Sequence, residues 1–299
     1  MRILKQKTNI DFIGLKSVFY GISAVLIGGS ILLLIFKGLN FGVDFTGGTA
    51  IQIKTSPDIG ISEIRRLATD VGFKNASVQN FGDEPGAFLI RIEQMGATVI
   101  GLENRFAEGF KKDFPGKSLV VESVESVGPK VGEELKKQGV LALIFALVAI
   151  LLYVAVRFDF RYSPGGIVAL AHDAVFTLGV VSFLNIEFSL VTLAALLTII
   201  GYSINDTIVI YDRIRENIHK YQGSPISQIV NLSVNETLSR TFLTSFTVLL
   251  AVLALFFFGG PVIHAFAVTM LVGVIAGTYS TLGIATPIFV YLYNKQGKK

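Results

Sequence analysis

The chain contains no cysteine, which excludes disulfides, thiolate nucleophiles and cysteine-held metal sites, and leaves the redox compartment unread. Histidine is almost as scarce. His172, His219 and His264 lie far apart and share no metal-ligand spacing. Charge is sparse too: Asp, Glu, Lys and Arg make up 16% of the 299 residues, and a net charge of +4 is too modest to suggest nucleic acid. No paired carboxylates and no serine, histidine and aspartate set gather in a polar segment. Enzyme chemistry is therefore not expected, and no cofactor is called for.

What fills the sequence is apolar, 52% of it, more than an ordinary soluble domain carries. Six segments have membrane-spanning length and composition, at 17–36, 138–156, 164–184, 188–210, 241–259 and 263–293. The first follows a basic stretch (Arg2, Lys5, Lys7, Lys16) without a small-residue cleavage site, and reads as an uncleaved anchor. The last exceeds about 20 residues and is expected to tilt or run past the bilayer. Arg157 and Arg161 follow the second span, Arg213, Arg215 and Lys220 the fourth, and Lys295, Lys298 and Lys299 the sixth. The alternate connections, 185–187 and 260–262, hold no Lys or Arg. Both termini are thus expected in the cytoplasm, with residues 37–137 outside. The organisation reads as 1–36 (N-terminus and first span), 37–137 (extracytoplasmic domain) and 138–299 (spans two to six, with a cytoplasmic loop at 211–239). Ile226, Ile229, Val230 and Val234 share one face in that loop, which predicts a surface helix there.

Segment 37–137 has a mixed pattern. Thr49–Thr55 alternates as a strand does, and Ser62–Val71 has helical spacing with Ser62 as N-cap. Ala76–Phe81 and Phe88–Glu93 read as strands around a turn at 82–86, Val99–Phe114 as a second helix, and Ser118–Val127 as a last strand. The order β-α-β-β-α-β is that of a ferredoxin-like module. Gly116-Lys117-Ser118 ends like a phosphate loop, but Lys111 stands where that loop needs glycine. Gly47-Gly48 reads as a tight turn into the first strand. Pro129 and Gly132, ahead of the second span, read either as a hinge or as a plain linker.

The chemistry-bearing residues lie inside the apolar segments. A carboxylate near the centre of a membrane helix costs about 2.5–3.5 kcal/mol on insertion scales, so Asp206 needs a partner or a task. Thr198, Gly201, Tyr202, Asn205 and Asp206 recur at i, i+3, i+4, i+7 and i+8, on one side of a helix. The third span carries His172 and Asp173 near its middle. Ser239-Arg240-Thr241 opens the fifth, which continues through Thr244, Ser245 and Thr247, and Gly273, Gly277, Ser280 and Thr281 permit close packing of the sixth. One reading makes Asp206 a proton carrier with Arg240 as its intermittent partner, since burial and a nearby guanidinium act oppositely on a carboxyl group. The other makes it a permanent bridge pinning helices together. His172 and Asp173 serve either as a relay or in packing, and Tyr202, Asn205 and Thr244 as supporting groups.

These residues also carry a resemblance. Phe41-Gly42-Val43-Asp44-Phe45-Thr46-Gly47-Gly48-Thr49, Val127 to Gly132, His172-Asp173, Gly201 to Arg213, Asn235 to Thr241 and Gly277 to Ser280 resemble, in order and over the whole chain, the motifs of the SecF family of protein-export membrane subunits. The resemblance implies a member of the resistance-nodulation-division superfamily in the inner membrane of a prokaryote. It implies pairing with SecD beside the SecYEG channel and use of the proton gradient to draw preproteins outward. It also implies Asp206 as proton carrier and Arg240 as its partner, with protons rather than a bound cofactor as the coupling species. Two other classes stand beside it: a self-sufficient proton-coupled exporter of small amphiphiles or lipids, and a purely structural scaffold of the channel.

Overall fold

A computed structural model describes residues 8–73, 76–81, 85–92, 101–158 and 162–296. In chain order its elements are α1 (Lys16–Phe36), β1 (Asn40–Phe41), the single turn α2 (Val43–Thr46), β2 (Gly48–Thr55), α3 (Ile61–Asp70), β3 (Ser77–Asn80), β4 (Ala87–Ile92), α4 (Leu102–Asp113), β5 (Leu119–Val127), α5 (Pro129–Arg157) and α6 (Ser163–Phe183). There follow β6 (Glu187–Phe188), α7 (Leu190–Lys220), α8 (Ile226–Phe258), α9 (Pro261–Ser280), a π segment (Thr281–Ala285) and α10 (Thr286–Gln296). The chain divides into two compact units, Met1–Asn40 with Leu141–Lys299, and Phe41–Val140.

In the smaller unit, β2 pairs antiparallel with both β4 and β5, and β3 with β4, giving the order β3-β4-β2-β5. The β-branched residues Ile51 and Ile53 turn one way from β2, because side chains alternate across a strand. They meet Phe88 and Ile90 of the sheet, Ile64 and Leu67 of α3, and Phe106 and Phe110 of α4 in one buried core. Ala50 and Leu89, on the opposite face, pack with Val43. Gly47 and Gly48 take φ of 72° and 115°, left-handed values that glycine adopts at least cost, and so turn the chain from α2 into β2. Gly60, not Ser62, starts α3, and its N–H is taken by the Glu63 carboxylate at 2.8 Å. The expected turn at 82–84, the strand end Glu93 and the helix start at 99–100 fall outside the described residues, as do Arg2, Lys5, Lys7, Arg161, Lys298 and Lys299.

Among the described residues, six helices are long and apolar enough to cross a membrane: Lys16–Phe36, Pro129–Arg157, Ser163–Phe183, Leu190–Lys220, Ile226–Phe258 and Ile263–Lys295. Two sequence expectations are corrected. Residues 211–239 are not a loop with a separate surface helix. Helix α7 runs unbroken to Lys220, and α8 starts at Ile226 and carries on through the fifth span, leaving 221–225 as the connection. The apolar face of Ile226, Ile229, Val230 and Val234 is buried in the same core as Ile210, Tyr211 and Ile214 of α7, which is why both helices persist. Likewise, Pro129 and Gly132 do not lie in a linker but in the first turn of α5, where proline is well tolerated. A Cβ on Gly132 would sit 2.9 Å from the Gly47 nitrogen, so this turn packs directly on backbone.

In the larger unit Phe158, Tyr162, Tyr211 and Phe289 form an aromatic cluster, with Tyr162 stacked 4.4 Å from Phe289. The sixth span is not one uniform helix. Its π segment lies directly before Pro287, which has no N–H to offer the carbonyl four residues back. The spare Ala285 carbonyl accepts a hydrogen bond from the Tyr211 hydroxyl at 3.3 Å.

Candidate functional site

Helices α7 and α9 run parallel along a seam that repeats every four residues. A Cβ on Gly277 would lie 2.9 Å from the Ser203 Cβ, Thr281 and Thr207 share a hydroxyl hydrogen bond of 2.9 Å, and Ala285 meets Tyr211. The four-residue step keeps each tie on one side of its helix. Two carboxylates flank this seam.

Asp206 is 3% exposed and faces α8. The Thr244 hydroxyl lies 3.4 Å from its Oδ1 and the Ser245 hydroxyl 3.4 Å from its Oδ2. Ser245 in turn receives the Tyr202 hydroxyl at 3.3 Å and shares a 2.9 Å bond with Thr278 of α9. The contacts to the carboxylate are long for O–H···O bonds, whose usual length is about 2.7–2.8 Å. Arg240 is exposed on α8 and interacts with Asp206 only through space. Among the described residues no ion pair joins the two.

The second carboxylate, Asp173 of α6, is fully buried. Its Oδ2 accepts hydrogen bonds from Ser203 of α7 at 2.7 Å and from Ser280 of α9 at 2.8 Å, and its Oδ1 lies 3.1 Å from His172 Nδ1. The His172 ring is stacked against Phe176 and Tyr279, and its Nε2 is buried without a hydrogen-bond partner among the described residues. Tyr279 is itself anchored, donating to the Phe19 carbonyl of α1 at 2.7 Å.

The polar stripe expected on the fourth span is therefore split. Thr198, Gly201 and Asn205 are exposed on the outer side of α7, Tyr202 is half-buried, and Asp206 is buried. At about 100° per residue, Asp206 stands roughly 80° round the helix from Thr198, on the edge turned to α8. The structure thus brings Asp206, Tyr202 and Thr244 together, pairs His172 with Asp173, and leaves Asn205 and Arg240 exposed. Pro129 and Gly132 belong to neither cluster. Sequence reasoning missed Ser203, Ser280 and Thr278 as carboxylate neighbours. Ser203 sits three residues before Asp206 and Ser280 one turn after Gly277, and that helical spacing is the only signal they leave.

Beyond this site, the C-terminal half of α7 is bonded to the start of α8. Arg213 holds Glu236 and Glu216 at 2.6 Å each, and the buried Asn217 amide donates to Ser233 at 3.0 Å and Glu236 at 2.8 Å. Among the described residues no group of three or more His, Asp or Glu is placed to hold a metal ion.

Comparison with known proteins gives one consistent picture. The family described as "Protein export membrane protein SecD/SecF, C-terminal" matches residues 109–295, and the "SecD/SecF GG Motif" matches residues 32–59. The chain is 42% identical over 302 residues to the protein translocase subunit SecF of Calditerrivibrio nitroreducens, covering 100% of this chain and 99% of that one. It is 42% identical to the subunit of the same name from Vibrio alginolyticus, over 97% of this chain and 92% of that one. Among solved structures it resembles SecDF of Thermus thermophilus, described as a translocon-associated membrane protein, with a TM-score of 0.88 and 38% identity. That likeness covers 98% of this chain but 40% of the SecDF chain. A second SecDF structure, in a form called super-membrane-facing, matches with a TM-score of 0.71 at 38% identity, over 100% of this chain and again 40% of that one.

Proposed function

The chain belongs to the SecF family of protein translocase subunits, and on that premise we propose that it is the proton-coupling SecF subunit of a Sec export complex. In this reading it pairs with a SecD subunit, sits beside the SecYEG channel in the inner membrane of a prokaryote, and helps draw preproteins outward. Its match to 40% of the SecDF chain suits a half that needs a SecD-like complement. Both termini lie in the cytoplasm. The unit with strand order β3-β4-β2-β5 and two helices has the ferredoxin-like connection, and it faces outward. The subunit is not an enzyme and uses no bound cofactor; protons are the coupling species.

The observation that carries this reading is how Asp206 is held. It is a buried carboxyl on a membrane-length helix, met only by long contacts from two hydroxyls, with the Arg240 guanidinium nearby but unpaired to it. Hydroxyls donate to a carboxylate and accept from a carboxylic acid, so this cradle serves both protonation states. A permanent structural bridge would call for the opposite, short bonds to a fixed cation. His172 and Asp173 support the site, and Tyr202, Thr244 and Asn205 complete the polar side of α7.

The energetics suit a ratchet. One elementary charge crossing 100 mV supplies about 2.3 kcal/mol, enough to shift a two-state equilibrium roughly fiftyfold but far below a domain's stability. Protonation therefore biases the outward-facing unit and opposes backsliding of an already unfolded chain. The test is gradient-driven completion of preprotein translocation in inverted vesicles holding the channel, the SecD partner and this subunit. Asp206→Asn is expected to abolish the gradient-dependent part while the complex still assembles. Unchanged completion would remove Asp206 from the coupling step.

A further inference from the structure

The two buried carboxylates are held in contrasting ways. Asp206 has contacts of 3.4 Å from hydroxyls on one neighbouring helix. Asp173 has short bonds of 2.7 and 2.8 Å from hydroxyls on two different helices, and its other oxygen is occupied by His172. A loosely held group can exchange partners. A carboxylate fastened on both oxygens ties down whatever holds it.

We propose that Asp173 is the positioning residue for Asp206, a clamp that fixes α7 and α9 at the level where Asp206 meets its hydroxyl partners. This rests on the reading of Asp206 as the proton carrier. The clamp reaches Asp206 by two routes. On α7, Ser203 is one turn before Asp206. On α9, Ser280 lies two residues beyond Thr278, which bonds Ser245, which bonds Asp206. At the same height Gly277 brings α9 against Ser203 so closely that an added Cβ would lie 2.9 Å away, which leaves no slack between the two helices. The His172 ring, stacked against Phe176 and Tyr279, keeps the Asp173 side chain from turning toward another partner. Without the clamp, α7 and α9 are free to shift against each other, and the contacts to Asp206 are already at the long end of hydrogen-bond reach.

The experiment compares wild type, Asp206→Asn, Asp173→Asn and the double variant Ser203→Ala/Ser280→Ala in the assembled complex. It reads gradient-driven completion, complex assembly, and the infrared carbonyl stretch of Asp206, assigned as the band lost in Asp206→Asn. The double serine variant keeps the Asp173 carboxyl and removes only its ties. It is expected to assemble, to lose about tenfold in gradient-driven completion, less than the ~hundredfold that a full 1 Å misplacement brings, and to shift the Asp206 band. If it does not assemble, Ser203→Ala alone gives the same readouts. An unmoved band with wild-type completion overturns the proposal. So does full coupling in the serine variant beside complete loss in Asp173→Asn with the Asp206 band unmoved, which would make Asp173 a relay. Full coupling in Asp206→Asn would instead defeat the proton-carrier reading. The band shift then still decides whether Asp173 positions the Asp206 side chain.

Discussion

Ser245 joins more of the site than any other single hydroxyl, touching Asp206, Tyr202 and Thr278 at once. Thr244 also reaches Asp206, but its hydroxyl is satisfied by the Arg240 and Thr241 carbonyls as well, so its loss disturbs less. A neutral hydrogen bond contributes about 0.5–1.5 kcal/mol. Ser245→Ala is therefore expected to lower gradient-driven completion roughly two- to tenfold, Thr244→Ala less, and Tyr202→Phe least. Initial rates of preprotein completion measured across a range of imposed gradients check that order, and an equal effect of all three would break it. Asp206 was legible in the sequence because a carboxylate in an apolar run has few explanations. The Asp173 cluster was not, since serines in a small-residue helix look the same whether they face lipid or a buried acid. Only proximity across three helices separates the two cases.

The apolar periodicity placed every span among the described residues to within a turn at most of its ends, because helix-length apolar runs leave little choice. The errors came where helices continue beyond their apolar windows. Charged residues such as Arg213, Glu216 and Glu236 read as a loop, yet they pair with one another and sheathe a buried apolar face. Asn217, 1% exposed, is the polar pin of that extension. Asn217→Ala leaves Ser233 and Glu236 short of a donor and is expected to destabilise the helix pair by about 1–3 kcal/mol, measured as a lower midpoint of thermal unfolding in detergent. The seam between α7 and α9 gives a second prediction. Gly277→Val forces side-chain atoms onto Ser203 and is expected to cost about 1–3 kcal/mol by overpacking. It should also reduce coupling more than an equally destabilising change on the exposed face of α5, and thermal midpoints read beside translocation rates distinguish the two effects.

At the scale of the molecule, the division at Phe41 and Val140 separates a sheet-and-helix unit with its own apolar core from a helical unit whose polar groups are buried among helices. Residues 41–140 expressed alone are expected to unfold in one cooperative step, followed by circular dichroism; a gradual melt would show that the core is insufficient. This unit also carries a pH-dependent contact. The Lys117 ammonium beside Asp58 holds that carboxyl below its usual range. A lowered folded-state value gives stability that is present at neutral pH and lost as the pH falls through it. Wild type is thus expected to exceed Asp58→Asn in the midpoint of unfolding at pH 7, with the margin closing below about pH 4. Full solvent exposure keeps the margin small.

The π segment sets the phase of everything after it. A π turn amounts to one residue inserted into an α-helix, and each residue advances a helix by about 100°. Removing a single residue from 281–285 is therefore expected to restore regular winding and rotate α10 by about that angle. Phe289 would swing off Tyr162, and the Ala285 carbonyl would be withdrawn from Tyr211. The sixth span can consequently tolerate many substitutions among its apolar residues, but not a change in their number.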